Sequence, residues 1–338
     1  MVMITPGMSG ILGANAGLMY SIFPAISGEW WAVILYALTM FLLWRGYYKD
    51  IEVFVMVLVG GFSFAVLLCF FLMQGTEQYH VTWAQFFEGL KFKVPQGSML
   101  VAIALMGSTG VTAGEMFMYP YWIKEKGYAR WVGPLTESNR ADWARRCKGW
   151  TNVIKADALI CTGIATVITI AYYLISASIL FTVLKVVPDG MEVAKGLASM
   201  FTETYGRWSY GLFMFGGFCT LYSTVYVNAA FSGRVWTDIG ESLKLVKIET
   251  EKDRLWWHRF FQMFWPGLWL LFFVGVPKPM AILLWGLRFN GLWLPFLALG
   301  VLFLARHTLK DIKMSLAGQI ALWATVVLMI AYTFMYFI

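Results

Sequence analysis

The sequence predicts an all-α polytopic membrane protein, and three observations predict it. Of the 338 residues, 59% are apolar and only 13% are charged, about half the charged share of ordinary soluble domains. The apolar residues gather into nine stretches, each near the roughly 20 residues a helix needs to cross a bilayer. Lysine and arginine are divided unevenly between alternate loops. This composition excludes a soluble globular enzyme, a disordered chain and a small disulfide scaffold.

The spans run over 5–24, 28–45, 51–74, 97–118, 153–183, 208–232, 259–276, 279–305 and 315–337. Pro6 and several glycines thin the first, but no charge interrupts it before Glu29. The second and third are unbroken apolar runs with Trp or Tyr near their ends, as interfacial belts require. The fourth is apolar as far as Met106 and then turns rich in glycine and threonine. The fifth is long enough for part of it to extend beyond the hydrocarbon. The sixth, seventh and ninth are ordinary apolar helices. Arg288 and Asn290 interrupt the eighth.

The basic residues test this count. Arg45, Lys49, the residues from Lys124 to Lys155, those from Arg234 to Arg259, and those from Arg306 to Lys313 lie in one set of alternate loops. That set holds 19 of the 26 lysines and arginines. The opposite loops hold six: Lys91, Lys93, Lys185, Lys195, Arg207 and Lys278. Cytoplasmic loops carry the basic excess, so the first set is expected to face the cytoplasm, with 119–152 as a basic cytoplasmic loop. The net charge of +7 is then a topology signal with anionic lipid as its companion, and nucleic acid is not an expected partner. Residues 1–338 read as one transmembrane domain.

The usual metal and enzyme signatures are missing. The four cysteines form no Cys-x-x-Cys pair, and the three histidines, His80, His258 and His307, are scattered at span ends. There is no nucleotide-binding loop and no nucleophile elbow. No basic region precedes the first apolar run, so it does not read as a signal peptide.

The chemistry concentrates in the second half of the fourth span, where Gly107, Gly110, Gly114, Thr109, Thr112 and Glu115 fall within nine residues and Pro120 follows. Glycine and threonine weaken a helix, and a carboxylate inside a membrane is costly. Such residues usually face a cavity or a partner and mark a pathway. Broken helices expose carbonyls that coordinate cations, and a carboxylate beside them suits a hard, oxygen-seeking divalent cation. A second reading stands beside this one. Gly110 and Gly114 form a Gly-x-x-x-Gly pair that lets helices pack closely without a ligand, and Glu115 can reach toward Lys124 or Lys126.

Other polar residues in the spans carry weaker signals. Arg288 and Asn290, with Gly286, Gly291 and Pro295 around them, allow an irregular eighth helix. They offer either a counter-charge and an amide oxygen to a pathway, or a structural cation for exposed carbonyls. Asn228 reads as an interhelical hydrogen bond. Asp157 reads as interfacial.

Several short motifs together resemble the natural resistance-associated macrophage protein (Nramp) family of divalent-metal transporters, and within it the divergent Nramp-related magnesium transporters. Arg45-Gly-Tyr-Tyr-Lys-Asp-Ile-Glu resembles the basic turn and following Glu between the family's fourth and fifth helices. Residues 107–122 resemble its broken sixth helix. Ser232-Gly233-Arg234 resembles the end of the eighth, and Leu294-Pro295-Phe296 the Leu-Pro-Phe of the tenth.

The resemblance implies a LeuT-like inverted-repeat transporter fold, with the nine spans as family helices three to eleven. No Asp-Pro-Gly occurs in the chain, so the first two helices, which carry that metal-binding break, are expected to be absent. In the sixth helix the alignment sets Val111 at the family's alanine and Gly114 at its methionine. Glu115 then replaces the proline and Met116 the histidine. A lost thioether and a gained carboxylate disfavour soft transition metals and leave oxygen donors.

The implied metal set is Glu115, Val111, Gly114 and Asn290, with no cofactor beyond the transported Mg²⁺ or Mn²⁺. Acidic residues for proton movement are not evident between Gly7 and Gly13, so coupling to protons is expected to be weak or absent. The chain is expected to be a monomeric, multi-pass inner-membrane transporter and not an enzyme. The rivals are a LeuT-fold amino-acid permease and a non-transporting membrane scaffold.

Overall fold

A computed structural model describes residues 4–45, 48–91, 99–108, 112–183, 185, 193–276, 278–307 and 315–334. Among them there is no strand. In chain order the helices are α1 (Ile4–Ile22), α2 (Gly28–Arg45), α3 (Tyr48–Met73), α4 (Trp83–Gly89), α5 (Met99–Ser108) and α6 (Ala113–Glu125). There follow α7 (Arg140–Ser176), which runs on as a wider π turn over Ala177–Val183, then α8 (Val193–Tyr205), α9 (Ser209–Ser242), α10 (Glu251–Gly275), α11 (Pro279–His307) and α12 (Leu316–Phe334). Each predicted span overlaps a long helix except the fourth, which is divided between α5 and α6.

Among the described residues two helical stretches, Glu137–Leu180 and Met280–Ala305, are by length and composition long and apolar enough to cross a bilayer. Gly28–Trp44, Val59–Met73 and Leu316–Ala331 are apolar and shorter. The apolar window of Glu137–Leu180 is only 11% buried. Leu159 and Ile160 stand 74% and 62% exposed, part of an apolar face of the kind that marks a membrane or protein contact.

The chain falls into two compact units. The first comprises Met1–Lys93 and Ile168–Gly286, and α9 is its axis, packing against α1, α2, α3, α8 and α10. One apolar cluster joins α1, α2, α9 and α10 through Leu12, Leu35, Val225, Trp269 and Phe273. A second joins α3, α8, α9 and the end of α7 through Val66, Phe201, Met214 and Ile175. Glycine decides how α1 meets α11. A Cβ on Gly10 would lie 2.6 Å from the backbone nitrogen of Leu283, and one on Gly286 would lie 2.2 Å from that of Gly7. Two helix backbones therefore touch at the α1–α11 crossing.

Four polar side chains along the middle of α9 turn back on their own helix. Thr220, Thr224, Asn228 and Ser232 each donate to the carbonyl four residues earlier, at 2.9, 3.1, 2.9 and 2.8 Å. Asn228 thus spends its amide on Thr224, not on the neighbouring helix that the sequence reading expected.

Where α9 ends and α10 begins, Arg254 forks between two carboxylates, donating to Asp238 at 2.8 Å and to Glu241 at 2.5 Å. The start of α10 is fixed by a capping box in which Thr250 accepts from the Asp253 amide and the Asp253 carboxylate accepts from Thr250. His258 lies one turn on, its carbonyl 2.7 Å from where a Gly233 Cβ would stand. Burial holds its imidazole down to about 4, and the nearby Arg234 and Arg259 act in the same direction against a smaller opposing pull from Asp238.

A depressed base stays neutral in the fold while the unfolded chain takes up a proton near pH 6.5. Stability from this site is therefore full above pH 6.5 and is lost as pH falls toward 4. The melting temperature of the purified chain should drop across that window. The drop should be smaller for His258→Asn, and an identical pH slope in the variant would refute the assignment.

The second unit comprises Val94–Val167 and Leu287–Ile338. It holds α5, α6, most of α7, the latter part of α11, and α12. The basic stretch 119–152 is helical at both ends. α6 continues to Glu125 and α7 starts at Arg140, where Asp142 in the first turn pairs with Arg145 and Arg146. Between them the chain turns at Gly127 and Gly133, with φ of 73° and 71°.

Candidate functional site

The glycine-rich half of the fourth span ends one helix and starts another. The described part of α5 runs to Ser108, whose hydroxyl donates to the Leu105 carbonyl at 3.1 Å. Thr112 is extended, at φ −74° and ψ 164°, and is the N-cap of α6. Its hydroxyl accepts from the Glu115 amide at 3.4 Å, and the Glu115 carboxylate accepts from the Thr112 amide at 2.8 Å. This is a reciprocal capping box, written in the sequence as Thr-x-x-Glu.

Two opposite helix ends therefore border the break. The last carbonyls of a helix have no partner within it and carry partial negative charge, which favours a cation; the first amides carry the opposite sign. At α6 the Glu115 carboxylate offsets that positive end. Glu115 is exposed and Gly114 behind it is buried.

The third part of the site comes from α11. A Cβ on Gly107 would lie 2.1 Å from the Leu287 carbonyl oxygen and 2.6 Å from the Gly291 amide nitrogen. The last turn of α5 thus rests directly on the α11 backbone. At 100° per residue, Asn290 and Arg288 flank that contact on either side, each about 80° from its centre. Asn290 is half-buried. The Arg288 Nε is buried without a hydrogen-bond partner among the described residues.

Of the four residues singled out from the sequence, Gly114, Glu115 and Asn290 belong to the second unit. Gly114 and Glu115 share the first turn of α6. Asn290 adjoins Gly291, which meets Gly107 of α5, and it makes no hydrogen bond to Glu115 among the described residues. Val111 lies outside the described residues. Asp157, read as interfacial, accepts a hydrogen bond from the Tyr119 hydroxyl at 3.0 Å and so ties α6 to α7. Among the described residues no three His, Cys, Asp or Glu side chains gather in a way that could hold a metal ion. A cation here would rest on carbonyl and amide oxygens with a single carboxylate, a donor set that favours hard ions.

Two residues of that segment were named from the sequence but not assigned a part in the site. Thr112 was legible through its spacing to Glu115. Gly107 was visible as a glycine, but nothing local showed that its partner is Gly291, 184 residues further on.

The comparisons with known proteins come to one finding. A family model described as natural resistance-associated macrophage protein-like (Nramp) matches residues 1–338. No curated protein matches the chain.

Proposed function

The chain belongs to the Nramp family, whose members are multi-pass membrane transporters of divalent metal cations and not enzymes, and on that premise we propose that it carries Mg²⁺ or Mn²⁺ by alternating access. The ion rests on oxygen donors at the break between α5 and α6. Glu115 supplies the charge, the backbone about Val111 and Gly114 supplies carbonyls, and the Asn290 amide faces them from α11. What supports this reading best is the end of α5 resting at Gly107 on the α11 backbone beside Asn290, with Glu115 in the first turn of α6, the next helix in the chain. Coupling to protons is weak or absent, because no acidic residue interrupts α1.

Glu115 has two roles in this reading, as a cap and as a charge, and one substitution separates them. Glutamine at the third helical position still closes a capping box but carries no charge. Glu115→Gln should therefore fold and express like the parent, while Mg²⁺ or Mn²⁺ flux into proteoliposomes falls by about tenfold, the effect of one lost charged ligand on a small oxygen site. A pH-sensitive dye in the same vesicles should report little acidification. Unchanged flux in Glu115→Gln would leave the carboxylate as a cap alone and end its assignment to the ion.

A further inference from the structure

At the start of α10 the structure carries a feature that ion transport does not use. A concavity of about 460 Å³ lies between the end of α2 and the first turns of α10, lined by Trp44, Lys252, Leu255, Trp256, Arg259, Phe260 and Met263. We propose that it binds an anionic phospholipid, whose phosphate sits between Lys252 and Arg259 and whose acyl chain lies along α10.

The helix geometry lays out both halves of such a ligand. Positions four apart stack along a helix face, so Lys252, Trp256, Phe260 and Phe264 form one row, and Leu255, Arg259 and Met263 form the next. In the first row the rings are parallel. Trp256 stacks on Phe260 at 5.6 Å and 5°, and Phe260 on Phe264 at 5.6 Å and 17°. They make a flat apolar lane about 12 Å long that starts beneath Lys252 and runs toward the hydrocarbon. Trp44 and Trp256 remain 59% and 58% exposed.

Charge complementarity selects the headgroup. Arg254 is already committed to Asp238 and Glu241, whereas neither Lys252 nor Arg259 forms an ion pair with a carboxylate among the described residues. The Arg259 guanidinium stacks on the Trp44 ring at 4.6 Å. Stacking fixes the plane of the guanidinium and leaves its edge N–H groups for a phosphate, the geometry that makes arginine a better phosphate ligand than a free cation. The cations stand on the side that the basic residues mark as cytoplasmic, where anionic lipid is concentrated. Glu251 and Asp253 flank Lys252 in sequence; the Asp253 carboxylate is engaged by the Thr250 cap, and Glu251 continues the Arg259 row about 12 Å of helix rise away.

The test uses the full chain purified in detergent, with retained lipid counted by native mass spectrometry and stability read by thermal unfolding. Phosphatidylglycerol should be retained, and should raise the melting temperature, more than phosphatidylcholine of the same chain length. Lys252→Gln and Arg259→Gln should each weaken its retention about fivefold, the share of one basic residue at a membrane surface. Trp256→Ala should weaken it as well by shortening the lane. The control pair Lys148→Gln and Lys155→Gln, in α7 and outside the lining of the concavity, should change nothing. Equal retention of the two lipids, or an equal loss in the control pair, would reduce the effect to general surface charge and overturn the site. Inorganic phosphate that stabilises as well as phosphatidylglycerol, or a Trp256→Ala chain with full retention, would make it an anion site without a lipid and overturn it too.

Discussion

Gly107→Ala should lower the melting temperature of the purified chain by roughly 6 °C and abolish metal flux. The added methyl would meet the Leu287 carbonyl oxygen at 2.1 Å and the Gly291 amide at 2.6 Å. Both are backbone atoms of α11, so no side-chain rotation relieves the clash and one helix must move. Overpacking costs about 1–3 kcal/mol where side chains can yield, and a backbone clash falls at the upper end, which sets the expected shift. The flux loss follows from position: the displaced turn is the carbonyl end of α5, which borders the proposed ion site. Gly163→Ala in α7 is the control, because a Cβ there meets nothing within 4 Å and alanine is the better helix former by about 1 kcal/mol. That chain should be as stable as the parent or more so. If Gly107→Ala melts and transports like the parent, α5 does not rest on α11 as described.

The second large effect is an asymmetry within one contact. Gly286→Ala should strongly reduce the yield of folded chain, and Gly7→Ala should be tolerated. A Cβ on Gly286 would lie 2.2 Å from the Gly7 nitrogen and 2.3 Å from its Cα, while one on Gly7 would stand 3.6 Å from the Gly286 Cα, an ordinary van der Waals distance. Gel-filtration yield and thermal unfolding of the two variants, prepared side by side, decide the matter. Comparable losses in both would mean that the residues only need to be small, and that the crossing is not directional. Comparable tolerance would mean that the helices are further apart than described.

Most of the helices were legible because apolarity marks the stretches that membranes bury. The ends were not. α7 starts at Arg140 and α10 at Glu251, well ahead of the apolar residues 153 and 259 where their spans were drawn. Charged first turns such as Glu251-Lys-Asp-Arg are helical because caps satisfy their amides, as Thr250 and Asp253 do, and hydropathy cannot see a cap. The short helix α4, closed by the Thr82–Gln85 capping box, escaped for the same reason.

In the candidate site, the sequence singled out Glu115 by its charge in an apolar run. The same residues also spelled a capping box, so one motif carried both the functional and the structural reading. The match of Gly107 to Gly291 was out of reach. It depends on where two distant helices cross, and no local period records that.

The row of hydroxyl and amide groups along α9 has a mechanical consequence. Thr220, Thr224, Asn228 and Ser232 close their hydrogen bonds inside one helix, so turning or sliding that helix past its neighbours breaks none of the four. What resists the motion at these positions is contact between apolar surfaces, which is non-directional and re-forms at each new offset. These four groups therefore add no directional tie, and the polar ties of α9 to its neighbours lie elsewhere, in Thr39 on Tyr222 and in the fork of Arg254 on Asp238 and Glu241.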